Sequence, residues 1–126
     1  MIGAVLIPTK IRLRKQTGAL ALEWPDGVEH DLSFEYLRVH SPSAEVRGHG
    51  AGEAILQTGK RRVRIVRIDP IGNYAQRLHF SDGQDIGLYS WHYLRELGEE
   101  FDAYWSAYLS ALATAGKSRD SDADGA

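Results

Sequence analysis

At 126 residues, 43% hydrophobic and 25% charged, the chain has material for one globular domain with one modest core. A formal net charge of −2 and a pI near 6.2 argue against a dedicated nucleic-acid binder, whose footprint is a strongly basic domain. The chain has no cysteine, which excludes disulfides, thiolate zinc sites, iron–sulfur ligation and a Cys nucleophile within it and leaves His, Asp and Glu as metal ligands.

The N-terminal "MIGAVLIPTKIRLRK" has an apolar run of about seven residues, short of a spanning helix and without the pattern of a signal peptide. The expectation is a cytoplasmic protein with no membrane partner. From Ile11 to Leu32 the chain reads as three antiparallel strands. Ile11 and Leu13 alternate with Arg12 and Arg14, Leu20 and Leu22 with Ala21 and Glu23, and Pro25-Asp26-Gly27 supplies a turn. "SFEYLRVH" is a short predicted helix capped by Ser33, whose hydroxyl can accept an N–H of the first turn.

The loop "SPSAEVRGHGAGE" follows, and after it "KRRVRIVRIDPIGNYAQRLHFSDGQDIGLYS" reads as a second set of strands, broken at Asp69-Pro70 to Asn73 and at Ser81-Asp82-Gly83. Within it, Arg62 and Arg64 alternate with Val63 and Ile65, as on a strand with one solvated basic face that protects a sheet edge. "SWHYLRELGEEFDAYWSAYLSALATAG" predicts one long amphipathic helix from a Ser90 cap. Its apolar residues, Trp91, Leu94, Leu97, Phe101, Tyr104, Trp105, Tyr108, Leu109 and Leu112, recur at three and four, so the helix should lie across the sheet with Gly98 as its weak point. Residues 116–126 carry no large apolar side chain and read as a disordered tail behind a domain spanning 1–115.

An internal similarity organises these elements. "DGVEHDLSFEYLR" (Asp26 to Arg38) matches "DGQDIGLYSWHYLR" (Asp82 to Arg95) at Asp-Gly, Leu, Ser, Tyr, Leu and Arg, with one extra residue before the second serine. The match is too short for a solenoid period, and it describes two similar β-turn-β-helix units. The predicted fold is α+β: a small antiparallel or mixed sheet built from those units, with the C-terminal helix packed on it.

The chemistry is sparse. Five histidines stand at 30, 40, 49, 79 and 92, with no HxH or HxxxH spacing to place two ligands on one face and no HxD or HxE to begin a facial iron triad. "GHGAG" and "GEAILQTGKR" miss the phosphate-binding patterns, and Ser41 and Ser43 beside His40 lack a nucleophile elbow. Tyr74, Tyr93, Trp91 and Trp105 could be drawn as a ligand cage, but their strand and helix spacing favours core. An exposed Tyr104 or Tyr108 would instead suggest the seam of a homodimer.

Three stretches, "IRLRKQTGALALEWPDG", "LRVHSPSAEVRGHG" and "GNYAQRLHFSDGQDIGLYSWHYLREL", together resemble a small bacterial domain, the γ-butyrobetaine hydroxylase-like N-terminal domain or domain of unknown function 971, over roughly Lys10 to Leu112. The resemblance implies a non-catalytic domain, found in larger relatives ahead of an oxygenase domain acting on γ-butyrobetaine or trimethyllysine, or fused to P-loop iron–sulfur carrier proteins. In zinc-binding relatives it further implies a Cys-Pro-Cys-x-x-Cys loop completed by a histidine in an Asp-Gly-His turn. Ser41, Ser43, Val46 and Gln84 hold those positions here, so the ligand set does not carry over.

The sequence thus predicts a non-enzymatic accessory domain that binds a protein partner, without cofactor, through the loop and the adjoining basic stretch, at His40, Glu45, Arg47, His49, Arg62 and Arg64. The alternative is a protein binding iron or zinc, with His40 and His49 as replacement ligands, linked to iron–sulfur cluster assembly or to a 2-oxoglutarate-dependent oxygenase.

Overall fold

The fold is that of a computed structural model, which describes residues 6–43, 55–85 and 87–120. Strands β1 (Lys10–Arg14), β2 (Ala19–Glu23) and β3 (Glu29–Ser33) form one antiparallel meander and lead into helix α1 (Phe34–Val39). Strands β4 (Ile65–Ile71), β5 (Ala75–Phe80) and β6 (Leu88–Ser90) form a second, leading into α2 (Trp91–Glu99), and α3 (Phe101–Ala115) closes the chain. The α+β class is as expected, with two three-stranded sheets rather than one.

The two units repeat each other in their turns and helix caps. The Asp-Gly turns close identically: Gly27 N–H donates to the Trp24 carbonyl and Gly83 N–H to that of Phe80, both at 3.0 Å. Val28 and Gln84 N–H reach the Asp26 and Asp82 carboxylates, both at 3.3 Å. Both helices open on a serine cap, Ser33 accepting from Tyr36 N–H and Ser90 from Tyr93 N–H, each at 3.0 Å.

Contacts between the units are returned in the same way. Tyr36 Oη donates to the Leu97 carbonyl at the end of α2, and Tyr93 Oη to the His40 carbonyl at the end of α1, both at 2.6 Å. Arg38 grips Asp82 at 2.9 Å, while Arg95 grips Asp26 at 2.8 Å. His30 packs on Gly98, and Ser41 packs on Gly87. A contact in which residue i meets j while the equivalent of j meets the equivalent of i is the signature of two-fold packing. The duplication seen in the sequence is therefore an approximate two-fold arrangement inside one chain. Leu20, Leu22, Leu37, Leu78, Leu94 and Leu97 fill its centre, all at most 1% exposed.

Several expectations are corrected. The strand β4 runs through Asp69 and Pro70, with Pro70 opposite Gln76, and the turn comes at Gly72, whose φ is +54°. Pro70 is tolerated because β4 is an edge strand and the missing N–H need not face a partner. Arg62 and Arg64 precede β4 instead of alternating along it, because Lys60 to Val63 form a turn closed by Val63 N–H to the Lys60 carbonyl. The C-terminal helix packs against the sheet, but it is divided at Glu100 (φ −99°, ψ 18°). Its second part, α3, lays Phe101 and Trp105 against Tyr36 of α1, with ring centroids 4.9 and 6.1 Å apart. Of the tail read from the sequence as disordered, residues 116–120 are described and pack on the domain, while 121–126 lie outside the described residues. Arg119 makes a bidentate pair with Glu35, and Ser118 and Arg119 carbonyls accept from Gly59 and Arg61 N–H.

Candidate functional site

Three of the four positions for which the resemblance implies metal ligands do meet in space. Ser41, Ser43 and Gln84 are all buried, with Gln84 Nε2 donating to Ser43 Oγ at 3.0 Å and Ser41 Oγ lying 3.3 Å from both the Ser43 hydroxyl and its N–H. Val46 lies outside the described residues, as do Glu45, Arg47 and His49. The donors here are two neutral hydroxyls and an amide, where zinc requires thiolate, imidazole or carboxylate. Among the described residues no group of three or more His, Cys, Asp or Glu is placed to hold a metal ion. The knuckle is thus rebuilt as a hydrogen-bonded cluster. Gln84 Oε1 is buried and has no hydrogen-bond partner among the described residues.

Beside this cluster a cavity of about 550 Å³ opens at the C-terminal end of α1, between α2, α3 and the segment from Ile55 to Gln57. His40 is the C-cap of α1 and stands in its wall. Its Nδ1 lies 2.9 Å from the Tyr36 carbonyl, so that nitrogen carries the proton. The imidazole lies against three tyrosine rings: Tyr36 at 4.7 Å, Tyr104 stacked at 5.8 Å and 20°, and Tyr108 at 6.3 Å.

The other polar groups of the wall are held by the fold. Tyr93 Oη is spent on the His40 carbonyl, and Tyr108 Oη donates to the Gln57 carbonyl at 2.8 Å. Tyr104 Oη donates to Glu96 Oε2 at 2.5 Å, and that bond pushes the phenol up to about 12. Burial, together with the nearby Glu35 charge, also raises Tyr108 to about 12.

Tyr93, Glu96, Tyr104 and Tyr108 were not among the residues expected to work with His40, although the repeat carries a signal for one of them. Aligning the two units sets Val39 against Glu96 and His40 against Leu97. Each polar residue stands where the other unit keeps an apolar one, and both line the same cavity. Tyr93 is part of this wall, and Tyr74 is 55% exposed, so neither is plain core; Trp91 is buried as expected.

Arg62 and Arg64 do not join His40. They line a separate cavity of about 510 Å³ with Thr17, Gly18, Ser33 and Phe34, at the N-terminal end of α1. There the Arg64 guanidinium donates to the Lys15 carbonyl and lies over the Phe34 ring. Asp82 is shared by Arg38 and Lys60. Burial works against its charge, but the Lys60 and Arg38 cations outweigh it and hold the carboxyl below the usual carboxylate range.

Duplicated meander-helix units joined face to face define the class: a small α+β domain with one aromatic cavity where the two copies have diverged. The chain belongs to the family described as γ-butyrobetaine hydroxylase-like, N-terminal, whose model matches residues 11–95. It is similar to a protein whose solution structure was determined by NMR, at 49% identity over 94% of each chain and a TM-score of 0.83. A second NMR structure matches at 41% identity over 94% of this chain and 89% of the other, with a TM-score of 0.79. A crystal structure of a protein of unknown function from Acidithiobacillus ferrooxidans, assigned to the DUF971 family, matches at 38% identity over 72% of this chain and 91% of the other, with a TM-score of 0.62. A search of curated proteins finds no match. Among the described residues no helix is long and apolar enough to cross a membrane.

Proposed function

We propose that this chain is a non-catalytic accessory domain of the cytoplasm that holds a protein partner at the cavity beside His40. The observation that carries this reading is the cavity itself, walled by residues from four separate segments and sitting where the two units cease to match. Its tyrosine hydroxyls speak against a general acid or base role for those phenols. The Tyr93 and Tyr108 hydroxyls are bound to backbone carbonyls, and Tyr104 is held far above neutrality by its carboxylate partner. The hydroxyl and amide donors at Ser41, Ser43 and Gln84 favour a structural knuckle over a metal centre.

The test is capture of partners by the untagged, immobilised chain, comparing wild type with Tyr104→Ala and with the double variant Arg62→Ala/Arg64→Ala. The expected result is a near-stoichiometric protein lost with Tyr104→Ala and kept by the arginine variant. Partner loss confined to the arginine variant would move the working surface to the other cavity. Elemental analysis of the same protein, purified without chelator, runs beside it: one equivalent of iron or zinc would replace the accessory reading with a metal-protein one.

A further inference from the structure

The charge and chemistry of the same cavity narrow what can enter it. Among the described residues Glu96 is the one carboxylate that lines the cavity, and neither lysine nor arginine does. Its Oε2 accepts the Tyr104 proton, which leaves the carboxylate further lone pairs for a second donor. A phenol that donates to a carboxylate keeps an electron-rich ring, and three tyrosine rings line this wall. Aromatic faces close to a carboxylate attract a cation through the ring quadrupole as well as by charge. Beside the polar His40, Ser41 and Gln57, the wall carries Val39, Ile55, Leu56, Ala107 and Ala111, an apolar stretch that suits a methylene stem.

We infer that the cavity receives the cationic side chain of a lysine or arginine presented by the partner, with its stem against the apolar wall and its charged head between Glu96 and the tyrosines. The inference rests on the partner-binding reading above and adds the chemistry of what is bound. Divergence between the two units supports it independently. Val39 occupies the position in unit one that Glu96 occupies in unit two, so the carboxylate is no requirement of the repeated fold.

The experiment is an amide-shift titration of the ¹⁵N-labelled full chain with N-acetyl-lysine amide, N-acetyl-arginine amide and the neutral N-acetyl-norleucine amide. The expected result is saturable shifts at Tyr93, Glu96, Tyr104 and Tyr108 with a millimolar Kd for at least one cationic amide, and about tenfold or more weaker binding of norleucine amide. Glu96→Gln keeps an acceptor for Tyr104, so it should leave the fold intact while weakening the cation about tenfold. Ala111→Leu, a substitution helices accept well, fills the cavity from α3 and should abolish the shifts. Norleucine amide binding as tightly as the cations, or no shifts with either cation, overturns the inference. If partner capture is lost with Tyr104→Ala but unchanged by Glu96→Gln, the inference fails and the accessory reading stands; if wild type captures no partner, the reading beneath it fails.

Discussion

A glycine inside a helix normally costs about 1 kcal/mol relative to alanine, yet at Gly98 an added Cβ would lie 2.3 Å from Nδ1 and 2.5 Å from Cγ of His30. That imidazole cannot swing aside freely, because its Nδ1 accepts the Trp24 indole N–H at 3.0 Å. Gly98→Ala should therefore destabilise, by about 1–3 kcal/mol in urea unfolding, the usual cost of overpacking. Combined with His30→Ala the loss should be smaller than the sum of the singles, as for residues in contact. His30 also carries a pH dependence. Burial, aided by the Arg95 charge, lowers its pKa from the ordinary 6.5. The folded state then binds fewer protons than the unfolded state between the two values, so stability rises with increasing pH there. The contribution is full above 6.5 and is lost as pH falls through the lowered folded value. Melting curves from about pH 7.5 to about pH 5 should show this loss in wild type and not in His30→Gln, which can accept the indole proton without titrating. From sequence alone Gly98 reads as a helix weakness. That it is a contact site depends on a histidine 68 positions earlier, which helix periodicity cannot reveal.

At the scale of elements, the serine caps, both Asp-Gly turns and the first meander are legible because each rests on residues adjacent in the chain. The division of the C-terminal helix at Glu100 and the anchoring of residues 116–120 are not, because distant partners decide them. Glu35 is only 6% exposed, and its charge is matched by Arg119 through bonds of 2.6 and 2.7 Å. Arg119→Ala should cost roughly 2 kcal/mol, less than orphaning a fully buried charge because the arginine is partly exposed. Replacing both with leucine should cost less than Arg119→Ala alone, since no unpaired carboxylate is left behind. Denaturant midpoints of the two variants check this, and equal losses would mean that the strap acts through its backbone bonds to Gly59 and Arg61 rather than through the ion pair.

For the whole molecule, the two-fold packing makes each unit the other's support, and Ser41, Ser43 and Gln84 join the units through a buried hydrogen-bonded cluster. A fold that depends on bound metal collapses under a chelator. This one should melt at the same temperature with and without excess chelator, and a drop of several degrees would show that a metal is structural after all. Binding and stability should also separate, with Glu96→Gln altering cation affinity while the melting temperature holds.

The sequence by itself determined the α+β class, the first meander, the serine caps, the duplication and the absence of cysteine, since all of these follow from local spacing, capping chemistry and residue identity. Tertiary structure alone decided that the two copies face each other and return several contacts, that His40 and the pair Arg62 and Arg64 line different cavities, and that Glu96, Tyr104 and Tyr108 wall the one beside His40. The reason is physical. Periodicity states which face of an element is apolar, whereas a cavity forms where elements from distant parts of the chain fail to fill the space between them.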